Sequence, residues 1–181
     1  MDIKPLKLKG SFEIQLFPKG DIRGYFMRTY DYDTFVHQGL QTKWIQENQS
    51  LSTDINIVRG LHFLKPPYTE TKLIRVVQGK ILDVFVDLRK NSKTFGQWDS
   101  IELSEDNYKA VYIPKGFAHG FLALTKTVLV TYKVDSAYVP EYDSGIRWND
   151  PDVGINWTIT SPILSERDKN LPFLADFISP F

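Results

Sequence analysis

Between residues 12 and 134 the chain is cut into short β-prone runs by glycine and proline turns, and nowhere does it hold a helical repeat. That punctuation constrains the fold more than any other feature. Residues 12–17 alternate apolar and polar, and residues 18–21 carry a turn signal. Residues 23–30 form a second alternating, aromatic run. Residues 44–52 read as a strand that turns polar, so that it faces a ligand or water. Residues 73–77 and 81–88, joined by Gln78-Gly79-Lys80, read as a hairpin. Residues 97–103, 110–114 and 127–134 complete the strands. One short helix is expected over residues 33–39, with Asp33 as cap and Gly39 as stop. Residues 138–152 look irregular, and residues 171–181 are expected to form a short helix over one end. No repeat or linker divides the chain, so residues 1–181 are expected to form one domain, an all-β sandwich or small barrel.

The richest stretch is residues 58–72. It holds Arg59, His62, a Pro66-Pro67 turn and Lys72 between strand-like runs. Arg59 and His62 are three positions apart, so an even strand would point them to opposite faces. They share a face only if Gly60 bends the backbone. With the proline pair turning the chain back, Arg59, His62 and Lys72 could converge on one cavity. The plain alternative is a solvated hairpin carrying a stray histidine. A second glycine-flanked histidine turn is expected around His119, in residues 115–121.

Composition excludes several functions. Lys plus Arg and Asp plus Glu are equal at 22 each, which leaves no basic excess for nucleic-acid binding. A local cluster of Arg23, Arg59 and Lys72 still suits an anionic ligand. Cysteine is absent, which rules out disulfides and thiolate metal sites. The first residues lack the apolar core of a signal peptide, and no run approaches the ~18 apolar residues of a membrane span. A cytoplasmic protein with no membrane partner is the expectation.

Two histidine turns in a barrel of this size suggest a cupin-like jelly roll with short peripheral helices, a fold many of whose members bind metal. Such a site needs further histidine and carboxylate ligands on one face. Position 64, two past His62, is leucine, and His37 falls in the surface helix. No metal and no cofactor is therefore expected. Proton chemistry suits the residues better. A neutral imidazole is the natural base at neutral pH when a carboxylate holds its other nitrogen. Asp150, Asp152, Glu166 and Asp168 are candidate partners. Tyr132 is either an acid on the opposite side or an aromatic wall, and His62 either a base or a core histidine.

Several motifs in order carry a resemblance. They are Arg59-Gly60-Leu61-His62-Phe63, Pro66-Pro67, Lys72-Leu73-Ile74-Arg75-Val76-Val77-Gln78-Gly79 and Asp83-Val84-Phe85-Val86-Asp87-Leu88-Arg89. Ile113-Pro114-Lys115-Gly116-Phe117-Ala118-His119-Gly120-Phe121, Tyr132-Lys133, Gly145-Ile146-Arg147-Trp148-Asn149-Asp150-Pro151 and Leu164-Ser165-Glu166-Arg167-Asp168 follow. From about residue 10 to residue 168 the chain resembles the dTDP-4-dehydrorhamnose 3,5-epimerase family.

The resemblance implies a metal-free jelly-roll homodimer that inverts carbons beside the 4-keto group of a nucleotide-linked 6-deoxy sugar. It implies His62 as base, Asp168 as its partner, Tyr132 as acid and Lys72 as the cation that holds the enolate oxygen. His119 would line the pocket. Arg59 and Arg23 would meet the diphosphate, Gln46 and Asn48 the nucleotide or sugar, and Tyr138 would stack on the base. Arg28 stands where the family usually has a nucleotide-side Glu, and Asp143 where a Glu is common. Glu47 and Gln49 replace the usual Asp and His beside Gln46 and Asn48. The nucleotide-side drift leaves two alternatives, an enzyme inverting C3 or C5 alone on another nucleotide sugar, or a cupin 3,4-ketoisomerase.

Overall fold

A computed structural model describes all 181 residues. The chain runs through β1 (Asp2–Pro5), β2 (Phe12–Gln15), β3 (Lys19–Asp21), β4 (Gly24–Phe26), α1 (Tyr32–His37), β5 (Gln46–Ser52) and β6 (Val58–Leu64). It continues through β7 (Lys72–Gln78), β8 (Lys80–Asp87), β9 (Trp98–Ser104), β10 (Lys109–Ile113), β11 (Phe117–Ala123), β12 (Val128–Val134), β13 (Asp143–Gly145) and α2 (Glu166–Lys169). One sheet has six strands in the order β1-β2-β10-β7-β12-β5, and the other has five in the order β13-β6-β11-β8-β9. β3 and β4 stand apart as a small two-stranded hairpin.

From β5 to β13, consecutive strands fall in alternate sheets, apart from the step from β8 to β9, which stays within the five-stranded sheet. This is a jelly-roll sandwich, the form the two histidines and the family resemblance implied where the punctuation alone gave a sandwich or small barrel. Ile74 and Val76 of β7 pack face to face with Ile81 and Phe85 of β8 in the core between the sheets. Burying one such side chain contributes about 1.5–3 kcal/mol.

The hairpin expected over residues 73–88 is therefore an arch. β7 bonds to β10 and β12, whereas β8 bonds to β11 and β9. A glycine turn closes either shape; the apolar faces decide, because the two strands bury surface against each other rather than side by side. The same holds for residues 58–72, since β6 and β7 also lie in opposite sheets.

Two outer layers complete the packing. Residues from the C-terminal part of the chain, among them Ile146, Val153 and Trp157, cover the far face of the five-stranded sheet. Phe35 of α1, with Tyr30 and Trp44, covers part of the far face of the six-stranded sheet. Local expectations are corrected at several points: residues 19–21, expected as part of a turn, form β3, and β13 runs through the stretch expected to be irregular. The cap of α1 is Asp31, whose Oδ1 accepts from the Thr34 N–H at 3.0 Å, while Gly39 ends the helix as expected. His119 lies within β11 rather than in a turn. The tail makes only a single 3-10 turn, Leu174–Asp176, and is held mainly by Phe177 and Phe181 packing against Phe63. No helix is long and apolar enough to cross a membrane.

Candidate active site

The site begins with the irregularity expected at Gly60. In the β6–β11 ladder His62 pairs with His119 and Arg59 with Phe121. Two residues of β6, Gly60 and Leu61, thus oppose Gly120 alone. This bulge turns Arg59 and His62 to one face while Leu61 faces the opposite, apolar layer. Glycine is required here. Gly60 has φ +109°, and a Cβ would stand 2.6 Å from the His119 carbonyl oxygen.

That face opens onto a cavity of about 510 Å³ between the sheets, within the range of small-molecule sites. His62 is held there by Asp168, with Nε2 2.7 Å from Oδ1. The second oxygen of Asp168 accepts from the Gly60 N–H at 3.1 Å, so the carboxylate ties the base to the bulge. Asp168 arrives on α2, capped by Ser165, whose Oγ accepts from the Asp168 N–H at 3.1 Å. Backbone bonds from Val58 to Ile163 and from Ile163 to Asn56 seat this closing segment beside the start of β6. Burial raises the pKa of Asp168, but hydrogen bonds from His62 and Gly60, with the nearby Arg167 charge, outweigh it and leave the carboxyl below its usual range. Of the four carboxylates considered for this role, Asp168 occupies it. Asp150 instead accepts from the Asp152, Val153 and Leu174 N–H groups.

The facing wall comes from the six-stranded sheet. Ile74, Tyr132 and Asn48 form one cross-strand row, and Lys72, Val134 and Gln46 the next. Tyr132 and Lys72 both line the cavity, with the Lys72 ammonium 6.0 Å from the centroid of the Tyr132 ring. Lys72 is paired to Glu70 at 3.0 Å. An imidazole on one wall therefore faces a phenol and an ammonium on the other.

A second imidazole shares the first wall. His119 Nε2 lies 2.8 Å from Oδ2 of Asp83 on β8. Asp83 is fully buried and its Oδ1 has no hydrogen-bond partner. Burial dominates there and pushes its carboxyl above the usual range, with His119 and Lys72 pulling the other way.

At the mouth, Arg59 reaches across to β5, donating to the Leu51 carbonyl at 2.8 Å and to Ser52 Oγ at 3.2 Å. Beside it runs a polar chain. Gln46 Oε1 accepts from the Tyr138 N–H at 3.0 Å, the Tyr138 hydroxyl donates to Asp143 at 3.0 Å, and Asp143 pairs with Arg167 at 2.7 Å. The bond to Asp143, with a smaller effect of burial, raises the Tyr138 pKa.

The structure thus brings His62, Asp168, Tyr132, Lys72, Arg59 and His119 to one cavity. Asn48 and Gln46 share cross-strand rows with Tyr132 and Lys72, and Tyr138 and Asp143 connect to the cavity-lining Arg167. Arg23 and Arg28 are not brought there by a single chain. Arg23 sits on the exposed β3–β4 hairpin paired to Asp21 at 2.5 Å, and Arg28 pairs with Asp31 at 3.2 Å. Sequence reasoning overlooked Asp83, Glu70 and Arg167. Asp83 was detectable as a charge at an inward position of an apolar strand, and Arg167 as the cation next to Asp168.

Comparison with known proteins agrees with this geometry. The family model for dTDP-4-dehydrorhamnose 3,5-epimerase matches residues 5–176. A dTDP-4-dehydrorhamnose 3,5-epimerase of Methanothermobacter thermautotrophicus is 46% identical over 166 residues, covering 90% of this chain and 89% of the relative. The crystal structure of the Bacillus anthracis epimerase with TDP and PPi bound superposes with a TM-score of 0.93 at 43% identity, over 96% of this chain and 99% of that one. The Legionella pneumophila dTDP-6-deoxy-D-glucose-3,5-epimerase, in complex with dTDP-4-keto-L-rhamnose, superposes with a TM-score of 0.92 at 33% identity, over 98% and 94% of the two chains.

Proposed function

Since the chain belongs to the dTDP-4-dehydrorhamnose 3,5-epimerase family, we propose that its cavity inverts C3 and C5 of a dTDP-linked 4-keto-6-deoxy sugar by proton transfer between its two walls. The observation that carries this reading is the placement of the His62–Asp168 pair on one sheet and of Tyr132 with Lys72 on the other, around one cavity.

A carbon beside a ketone is a weak acid, and its anion places charge on the carbonyl oxygen. His62 takes the proton, while Asp168 orients the ring and stabilises the imidazolium that forms. The electron pair left by the C–H bond becomes the enolate, with its oxygen at C4 facing Lys72. A fixed cation there lowers the barrier, single contacts of this kind being worth about 3–4 kcal/mol. Tyr132 then gives a proton to the same carbon from the other face, which inverts it. The sum is an isomerisation, so electrons balance within the sugar. Arg59 and Arg167, both lining the cavity, meet the diphosphate, with His119 beside the sugar. Arg167 exchanges Asp143 for phosphate oxygen as substrate enters. Gln46, Asn48, Tyr138 and Asp143 line the nucleoside end.

The working form is a homodimer in the cytoplasm. The β3–β4 hairpin is exposed at every residue and carries Ile22, Tyr25 and Phe26 beside Arg23, which suits it to reach a second copy. Arg23 and Arg28 would then act at the partner's cavity mouth.

The test is solvent exchange. In D₂O, dTDP-4-keto-6-deoxyglucose should gain deuterium at both C3 and C5, with the carbonyl remaining at C4 by NMR. No incorporation overturns the reading. Incorporation at one carbon makes the enzyme a single-centre epimerase, and a displaced carbonyl makes it a ketoisomerase.

A further inference from the structure

Glu70 is the one carboxylate in direct contact with the cavity ammonium, and the reaction as described gives it no task. It precedes β7 by two residues and pairs with Lys72 Nζ at 3.0 Å. Both side chains are largely removed from water, at 14% and 12% exposure, so this is not a solvent-screened surface pair. Lys72 lines the cavity and Glu70 does not.

The segment that carries Glu70 is pinned on both sides. The Lys65 N–H donates to the Tyr142 carbonyl at 2.9 Å, and the Tyr68 and Tyr142 rings pack at 4.7 Å. The Thr71 N–H donates to Asp135 at 2.6 Å, and Asp135 also receives Gln41 at 2.6 Å and Lys115 at 3.1 Å. Glu70 is thus a fixed acceptor, with little freedom to follow the lysine.

Lys72 has a competing neighbour. It acts electrostatically on Asp83, whose buried Oδ1 lacks any hydrogen-bond partner. A flexible four-carbon stem with three rotatable donors would swing to that oxygen if nothing else held it. Such a move would carry the cation away from the sugar carbonyl and toward the His119 wall.

We propose that Glu70 is a positioning residue that anchors the Lys72 ammonium at the cavity wall, keeping it from collapsing onto Asp83 and aimed at the oxygen of the enolate. This rests on the reading of Lys72 given above. The cation must already be in place when charge develops, since reorganisation at that moment is what a preorganised site avoids. Remote groups that bind the diphosphate do not depend on it.

The experiment compares wild type, Glu70→Ala and Glu70→Gln in steady-state turnover, with melting temperatures measured alongside. Glu70→Ala is expected to lose about tenfold or more in kcat with KM within about twofold, because an interaction specific to the transition state is lost. Glu70→Gln keeps an acceptor at the same reach and is expected to recover most of that loss. A Glu70→Ala enzyme with wild-type kcat overturns the proposal, as does a loss that only follows a lowered melting temperature. A wild type inactive on the proposed substrate counts against the assigned reaction, not against Glu70. The ¹⁵N resonance of Lys72 Nζ then decides, since it must move in Glu70→Ala, and an unmoved resonance overturns the anchor.

Discussion

His62 and His119 stand opposite each other in the β6–β11 ladder, yet each turns its Nε2 onto a different carboxylate, Asp168 at 2.7 Å and Asp83 at 2.8 Å. The two aspartates are held in opposite ways. Asp168 receives two hydrogen bonds and is held below the usual carboxyl range, whereas Asp83 is fully buried with one oxygen unmet and is pushed above it. Only the first of these pairs takes part in the proton transfer proposed above; the second braces the wall beside it.

Replacing His62 by Asn removes the base and leaves a smaller, polar side chain that cannot accept a proton at neutral pH. Deuterium incorporation is expected to fall about a thousandfold, within the range for loss of a general base. The affinity for dTDP, followed by calorimetry, is expected to stay within about threefold, since the groups at the mouth are untouched. Exchange at the wild-type rate would remove His62 from the mechanism.

Asp83→Asn separates stability from activity. The folded-state pKa of Asp83 is raised, so its contribution is most favourable below the unfolded carboxyl value near 3.8 and is lost as pH rises through the folded value. At neutral pH the neutral amide relieves that burden. The melting temperature should rise at pH 7 and change less at pH 3, while kcat falls because His119 Nε2 loses the carboxyl that holds it at 2.8 Å. A lower melting temperature at both pH values would refute this account.

Acid should act through the depressed carboxyls. Burial raises Asp87, but hydrogen bonds from Arg89, Ser92 and Thr94 overcome it and bring its pKa to about 2. With its side chain fully buried, it contributes about 2 kcal/mol, present above the unfolded value near 3.8 and lost as pH falls toward 2. Asp168 acts in the same direction. Urea titrations from pH 5 to pH 2 should show this decline, and Asp87→Asn should flatten it while lowering stability at pH 5.

Gly60→Ala tests the bulge. The added methyl would meet the His119 carbonyl at 2.6 Å and Gly120 Cα at 2.8 Å, at a φ that L residues avoid. A cost of about 1–3 kcal/mol is expected, or roughly 2–12 °C in melting temperature for a chain of this size. Activity should fall further than stability explains, because Arg59 and His62 would no longer share a face. A folded Gly60→Ala protein with full activity would show that the bulge is dispensable.

Much of this arrangement was legible from residue types. Alternation and turn signals placed most of the strands, though not β1, β3, β11 or β13, and the three-residue spacing of Arg59 and His62 around Gly60 put them on one face only with the bend that the bulge supplies. Pairing was less legible. Gln78-Gly79-Lys80 has the composition of a hairpin turn, and only the packing of Ile74 and Val76 onto Ile81 and Phe85 makes it an arch. The choice of Asp168 among four carboxylates came from family resemblance, since 106 positions separate it from His62. Asp31 displaced Asp33 as helix cap by two positions, a margin that local propensity does not resolve. Glu70 and Asp83 drew no notice, although one lies two positions from Lys72 and the other is a charge inside an apolar strand, because their importance lies in what their side chains touch.

The arch between β6 and β7 sets a dimension as well as a topology. His62 and Lys72 are ten positions apart, but they belong to opposite walls, and the segment around Pro66-Pro67 is the strut between them. Lengthening or shortening that strut would change the gap between proton acceptor and cation without altering the register of either sheet. A relative handling a bulkier or slimmer sugar has, in that short span, a place to retune its width while leaving every reacting group as it is.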